Sequence, residues 1–193
     1  EILFTSLDPF RRIAHPHITM MNSIDEQHMR SVHKLPMDLD VAIKEEGTRF
    51  KVSFSGKTLD DDWMGNLQAF FIGKSWRSSV LFVDGCIGLL TIMIDLKLFN
   101  RWDLPKGYFI FSQTFTEKGK TVVWPIIVTE KRKGFFGFLY SWSLIRVHKV
   151  LMWFLAFQDG RVIYKNLRFN QSGLLPEIDN ASARWMAFTN KVI

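Results

Sequence analysis

The chain has 193 residues, 47% of them hydrophobic, enough for one domain with a sizeable core. Its net charge of +6 is uneven: residues 1–62 carry 8 Lys/Arg against 11 Asp/Glu, and residues 63–193 carry 17 against 8, so the body suits an anionic partner such as nucleic acid, anionic lipid or an acidic protein. A single cysteine, Cys86, excludes an intramolecular disulfide and points to a reducing compartment, while no uncharged run approaches the roughly 18–20 residues of a membrane-spanning helix.

In chain order, residues 1–35 read as an N-terminal arm. They carry an apolar start, four His and three Met with little periodicity, and too few apolar residues for a core of their own. Ile2, Leu3, Phe4, Met20 and Met21 are the anchors of this arm and gain most by entering a groove on another surface, which makes them candidates for self-association. The chain does not open on Met, as expected of an ordered or processed fragment. Pro36 marks the start of a folded domain over 36–193. Met37–Ile43 and Phe50–Phe54 alternate with period two around Lys44-Glu45-Glu46-Gly47, which predicts two strands and a hairpin. The three- and four-residue steps of Leu59, Trp63, Leu67 and Phe70 predict a helix from Thr58 to Trp76. Val80–Phe99 is ambiguous, its length favouring helix in the first part and Thr91–Ile94 leaning to strand.

Tyr108–Phe115 and Thr121–Thr129 read as strands around a turn, with Pro125 implying an edge or a bulge. Asp159-Gly160 between apolar runs reads as a hairpin turn, and a last helix is expected from about Pro176 to Asn190. The class is α+β: a single domain with a mainly antiparallel sheet packed by two to three helices, plus the extended arm.

The stretch from Lys131 to Trp142 sets three cations beside five aromatic rings with two glycines between them. Lys131, Arg132, Lys133, Phe135, Phe136 and Phe138 form either an exposed loop, whose rings press into a membrane surface or a partner chain, or a basic turn leading into a buried strand. His15, His17, His28 and His33 superficially resemble a metal cluster but lack the cysteines or paired spacing of zinc motifs, so no metal is expected. Asp60-Asp61-Asp62 is best read as a helix N-terminus, and Cys86 lies among apolar residues that disfavour a thiolate. No catalytic set is visible and no cofactor is expected. A small pocket enzyme, its cavity lined by a curved sheet and helices with Asp84 or His148 as acid or base, is an alternative.

Phe70-Phe71-Ile72-Gly73, followed by Arg77, Val80-Leu81-Phe82-Val83 and Ile87-Gly88, resembles rhabdovirus matrix proteins, with Phe50–Phe54 in place of their early strand and Tyr108–Gln113 in place of the strand after their second helix. The resemblance implies a viral structural protein of the virion, not an enzyme, in host cytoplasm or nucleus and peripheral to membrane. It would assemble with itself and bridge an anionic membrane surface and a nucleoprotein or nucleocapsid, with no small-molecule substrate. A viral nucleic-acid-binding or movement-type protein is the further alternative.

Overall fold

Period-two alternation builds most of the molecule. A computed structural model describes residues 1–32, 37–58, 63, 66, 70, 74–84, 87–94, 97–99, 101–103, 105–117, 120–162 and 180–192. Its strands are β1 (Ile2–Ser6), β2 (Phe10–Arg12), β3 (Met37–Glu46), β4 (Arg49–Thr58), β5 (Ser75–Val83), β6 (Ile87–Ile94), β7 (Lys97–Leu98), β8 (Trp102–Asp103), β9 (Gly107–Glu117) and β10 (Lys120–Glu130). Among the described residues the helices with continuous spans are α1 (Pro16–Met21), α2 (Glu26–Ser31), α3 (Gly134–Val162) and α4 (Asn180–Val192). Antiparallel pairing gives one eight-stranded sheet in the order β1-β10-β9-β6-β5-β4-β3, with β2 added beside β1 on β10. The fold is therefore α+β, a large antiparallel sheet packed by a few helices, as the sequence implies.

The sheet buries one face. Across its centre Val52 stands opposite Val80, Val80 opposite Leu90, Leu90 opposite Phe109 and Phe109 opposite Ile127; directly paired residues project to the same side. This row runs through both halves of the core. On the β4–β5 half, Phe50, Val52, Phe54, Val80 and Phe82 pack with Trp185 and Phe188 of α4 and with Met20, Met21 and Ile24. On the β9–β10 half, Phe109 and Ile127 pack with Met152 of α3. Leu90 borders both clusters. The opposite face carries Trp124 and Ile87, both exposed.

Local chemistry explains the turns. The β3–β4 hairpin closes with Gly47 at φ 55°, a left-handed conformation that glycine reaches without steric cost. After β5 the chain turns at Asp84, φ 51°, a conformation acidic and amide side chains tolerate better than most. Gly88 lies opposite Phe82, and an added Cβ would stand 3.3 Å from that ring, so the close approach of the aromatic needs glycine. Pro125 sits where β1 ends and β2 has yet to begin. Its carbonyl accepts the Leu7 N–H at 3.0 Å, so its missing donor faces the break between two short edge strands.

Several expectations need correction. The helix expected in the first part of Val80–Phe99 is instead β5 running into β6, because the break at Asp84 makes a turn and the apolar run on either side is that of sheet interior. The hairpin expected at Asp159-Gly160 is absent: α3 continues through it to Val162. Trp63, Asn66 and Phe70 are helical, in line with the helix over Thr58–Trp76, but Ser75 and Trp76 already belong to β5. Cys86, the Asp60-Asp61-Asp62 run and Pro176 lie outside the described residues. The final helix occupies Asn180–Val192.

Residues 1–32 lie on the domain itself. β1 pairs with β10 over Ile2–Ser6, Thr121 donates its hydroxyl to the Ala14 carbonyl at 2.6 Å, and Trp185 Nε1 donates to the His17 carbonyl at 3.0 Å. Among the described residues no helix is long and apolar enough to cross a membrane.

Candidate active site

The buried side of α3 organises the β9–β10 half. Ser141, Ile145, His148 and Met152 are buried and recur at steps of four, three and four residues, which places them on one helix face. The Ser141 hydroxyl lies 3.2 Å from the Glu130 carbonyl, and Arg12 Nη2 donates to the Ala156 carbonyl at 3.2 Å. Arg12 pairs with Thr121 at the other end of β10, so α3 runs back along β10 and parallel to β9. Asp159, seven residues beyond Met152, continues the same face and directs its carboxylate inward.

That carboxylate meets an imidazole. Asp25 caps α2, its Oδ1 accepting the His28 backbone N–H at 3.1 Å, and the short helix holds His28 in the interior, where Nε2 comes to 3.1 Å from Asp159 Oδ1. Such a separation suits an ion pair. It equally suits two ligands of one cation, since donors each about 2.1 Å from a metal and at right angles stand about 3.0 Å apart. Nitrogen with carboxylate oxygen is a donor set for a divalent transition metal rather than for calcium or magnesium. Among the described residues no group of three potential ligands assembles; His33, five positions after His28, lies outside them.

His148 is the second unusual group. It is 0% exposed, neither ring nitrogen has a hydrogen-bond partner among the described residues, and the Phe109 ring lies edge-on at 5.5 Å. Burial lowers its pKa below the ordinary imidazole value, which keeps it neutral. Leaving a buried polar group unsatisfied costs about 1–3 kcal/mol, so the His148 nitrogens contribute no hydrogen-bond stability to the fold. Two further buried atoms on the sheet face beneath α3 have no hydrogen-bond partner, Gln113 Oε1 and Thr129 Oγ1.

The residues singled out from the sequence fall elsewhere. Lys131, Arg132 and Lys133 form the exposed turn between β10 and α3, where Lys131 pairs with Glu1 at 2.8 Å and the Arg132 guanidinium lies 4.4 Å over the Tyr140 ring. Phe135, Phe136 and Phe138 belong to the first turns of α3, neither loop nor buried strand, with Phe135 71% and Phe136 84% exposed. Ile2 and Phe4 are exposed on β1 and Leu3 is half-buried, while Met20 and Met21 are core residues. His15 caps α1, and His17 packs edge-on against Trp185 at 5.9 Å. Of the two proposed acid–base residues, Asp84 is an exposed turn residue and His148 is fully buried.

Sequence reasoning missed the His28–Asp159 pair. Its available signal was an N-capping Asp25 with His28 and His33 at fixed steps behind it, obscured by grouping all four N-terminal histidines together. Asp159 was hidden by the turn-like Asp-Gly dipeptide.

No protein-family model matches the chain, and no curated protein sequence is similar to it. Solved structures are similar over nearly its whole length. Dicamba monooxygenase bound to 3,6-dichlorosalicylic acid aligns with 99% of this chain and 59% of its own, with a TM-score of 0.57 and 13% identity. NdmB of Pseudomonas putida CBB5 aligns with 96% and 48%, with a TM-score of 0.62 and 13% identity. The NdmA QL mutant with caffeine, from the same organism, aligns with 96% and 49%, with a TM-score of 0.65 and 11% identity. The chain thus spans about half the length of the solved chains it matches.

These matches overturn the resemblance to rhabdovirus matrix proteins, together with the viral structural role, the expectation of no enzyme, and the membrane, nucleocapsid and self-assembly partners attached to it. The physical reason lies in the residues that carried the resemblance: Val80–Val83 and Ile87–Gly88 belong to hydrogen-bonded strands in the sheet, not to a second apolar helix. The chain shares the fold of about half of dicamba monooxygenase and of about half of NdmA and NdmB.

Proposed function

We propose that the chain is the catalytic portion of a non-haem iron oxygenase acting on a small aromatic molecule. The observation that carries this reading is the approach of His28 Nε2 and Asp159 Oδ1 to 3.1 Å in the interior of a chain whose fold matches dicamba monooxygenase, a protein solved with non-haem iron and dicamba. One imidazole and one carboxylate are two members of the two-histidine, one-carboxylate set that holds iron with coordination positions left open; His33 is the proposed third. Iron bound there would supply the oxygen chemistry that an aromatic substrate requires.

The chain's own residues define the rest. Asp25 fixes the first turn of α2 through the His28 N–H, and Arg12 anchors the last turns of α3 through Ala156, so both donors are set by backbone restraints independent of any ligand. The apolar face of Phe109, Ile127 and Met152, which begins two turns before Asp159 on α3, suits an aromatic substrate, in keeping with neighbours solved with dicamba and caffeine.

The test is metal stoichiometry. Protein reconstituted anaerobically with Fe(II) and freed of excess metal is expected to retain one iron per chain, and His28→Ala and Asp159→Ala each to lose it. Equal retention by the wild type and both variants would overturn the assignment.

A further inference from the structure

The polar groups beneath α3 form a pattern that iron binding leaves unused. His148, Gln113 and Thr129 are each more than nine-tenths buried, and His148 Nδ1 and Nε2, Gln113 Oε1 and Thr129 Oγ1 have no hydrogen-bond partner among the described residues. The sheet register orders them. His148 lies over Phe109, which pairs with Ile127. Thr129 is two residues beyond Ile127 on the same face, and Gln113 is four residues beyond Phe109 on that face. Since α3 runs parallel to β9, Gln113 lies on the Asp159 side of His148 and Thr129 on the other. Around them the packing is apolar: Phe109, Ile127 and Met152, with Leu7, Leu90 and Phe111 at the border.

His148 and Asp159 share one face of α3 eleven residues apart, three turns, or about 16 Å along the axis. A substrate that bridged the two side chains would lie along that span, over Met152. Met152 stands between them on the same face, and its unbranched side chain adapts to what it packs against.

We propose that His148, assisted by Gln113 and Thr129, is a positioning residue that hydrogen-bonds an uncharged polar substituent of the aromatic substrate, a lactam-type carbonyl or a phenolic hydroxyl, and so directs the opposite edge of the ring toward His28 and Asp159. The substituent class follows from the surroundings. A neutral imidazole offers one donor and one acceptor, and an ionised ligand group would be costly to bury against the apolar Phe109, Ile127 and Met152. This deepens the oxygenase reading and rests on it for the direction of the reacting edge.

The experiment compares three bicyclic probes of similar size, 2-quinolone, 2-naphthol and naphthalene, by calorimetric titration into metal-free and Fe(II)-loaded protein. At least one polar probe is expected to bind tenfold or more tightly than naphthalene. His148→Leu should erase that difference, leave naphthalene binding and iron content unchanged, and not lower Tm, because the replaced nitrogens make no hydrogen bond in the fold. His148→Gln, which keeps a donor and an acceptor, should restore part of the preference. Equal affinity for all three probes, or a preference that survives in His148→Leu, would overturn the proposal. So would a collapse in Tm of both His148 variants, which would make the residue structural. Loss of the oxygenase reading registers separately, as failure of the wild type to hold iron while the probe preference persists in metal-free protein.

Discussion

The two halves of the sheet's covered face are built on opposite terms. Over β4 and β5, Trp185 is fully buried within 4.4 Å of the Phe82 ring centre, 5.3 Å of Phe50 and 5.9 Å of Phe188, and its indole N–H is satisfied by the His17 carbonyl. Over β9 and β10, the helix presses an unpartnered imidazole onto the sheet beside two unpartnered polar atoms and ends in the His28–Asp159 contact. Ser182 Oγ is the exception on the first side. One sheet thus carries a half that spends its side chains on stability and a half that withholds some of them, the division expected when a site is built on a rigid scaffold.

The sharpest way to break this contrast is to attack the stable half. Trp185→Ala removes a ring in contact with three others and leaves the His17 carbonyl without its donor, so it should cost about 3–5 kcal/mol, a large part of a domain's total stability; urea denaturation measures it, and a loss below about 1 kcal/mol would show that the aromatic cluster does not anchor the fold.

Next in size is the junction of β10 and α3. A Cβ on Gly137 would stand 2.9 Å from the Arg132 backbone carbonyl carbon, and Gly137 also supplies a carbonyl to Ser141. Gly137→Ala must push the basic turn away and should cost about 1–3 kcal/mol, read in the same denaturation experiment.

A smaller effect comes from pH. Burial lowers the pKa of His148, and burial followed by the neighbouring His15 lowers that of His17, both from an ordinary 6.5. The unfolded chain therefore takes up protons first, so stability should fall as pH drops through 6.5 toward the lower folded-state values and should be fully present above 6.5. His148→Leu should flatten part of that decline, leaving the His17 share. Denaturation midpoints across this range test the sign, and a rise in stability on acidification would contradict it.

The smallest change is expected at the exposed start of α3. Phe135→Ser and Phe136→Ser replace rings that are mostly in solvent, so each should shift stability by no more than about 0.5 kcal/mol. A collapse in Tm would mean that these rings are covered in the folded protein.

The stable half was the more legible in sequence. Alternation in Phe50–Phe54 identified β4 because each inward residue is apolar and each outward one polar, and Gly47 announced the hairpin. The strands β5 and β6 were harder because their outward residues, Leu81 and Leu89 among them, are themselves apolar and half-buried, so the period-two signal fades. The helix α3 was hardest. Four of its first seven residues, Phe135, Phe136, Phe138 and Tyr140, are aromatic and exposed, so no amphipathic stripe separates inside from outside.

The site shared that fate for a related reason. His28 and Asp159 are far apart in sequence and meet only in the folded chain, a tertiary contact that neither local segment encodes. The sequence offers Asp84 or His148 as a buried acid or base, and of the two only His148 is buried. That singled out the residue without revealing the helix that carries it.

If the His28–Asp159 end of α3 holds a metal as proposed, Fe(II) must stabilise the folded chain. The most direct measurement is the thermal melt of wild type and Asp159→Asn with and without Fe(II) under anaerobic conditions. Ligand at about one hundred times its dissociation constant stabilises a folded chain by about 2.7 kcal/mol, so the account predicts a Tm that rises by several degrees with Fe(II) for the wild type and does not move for Asp159→Asn. The same rise in both proteins, or in neither, would contradict it.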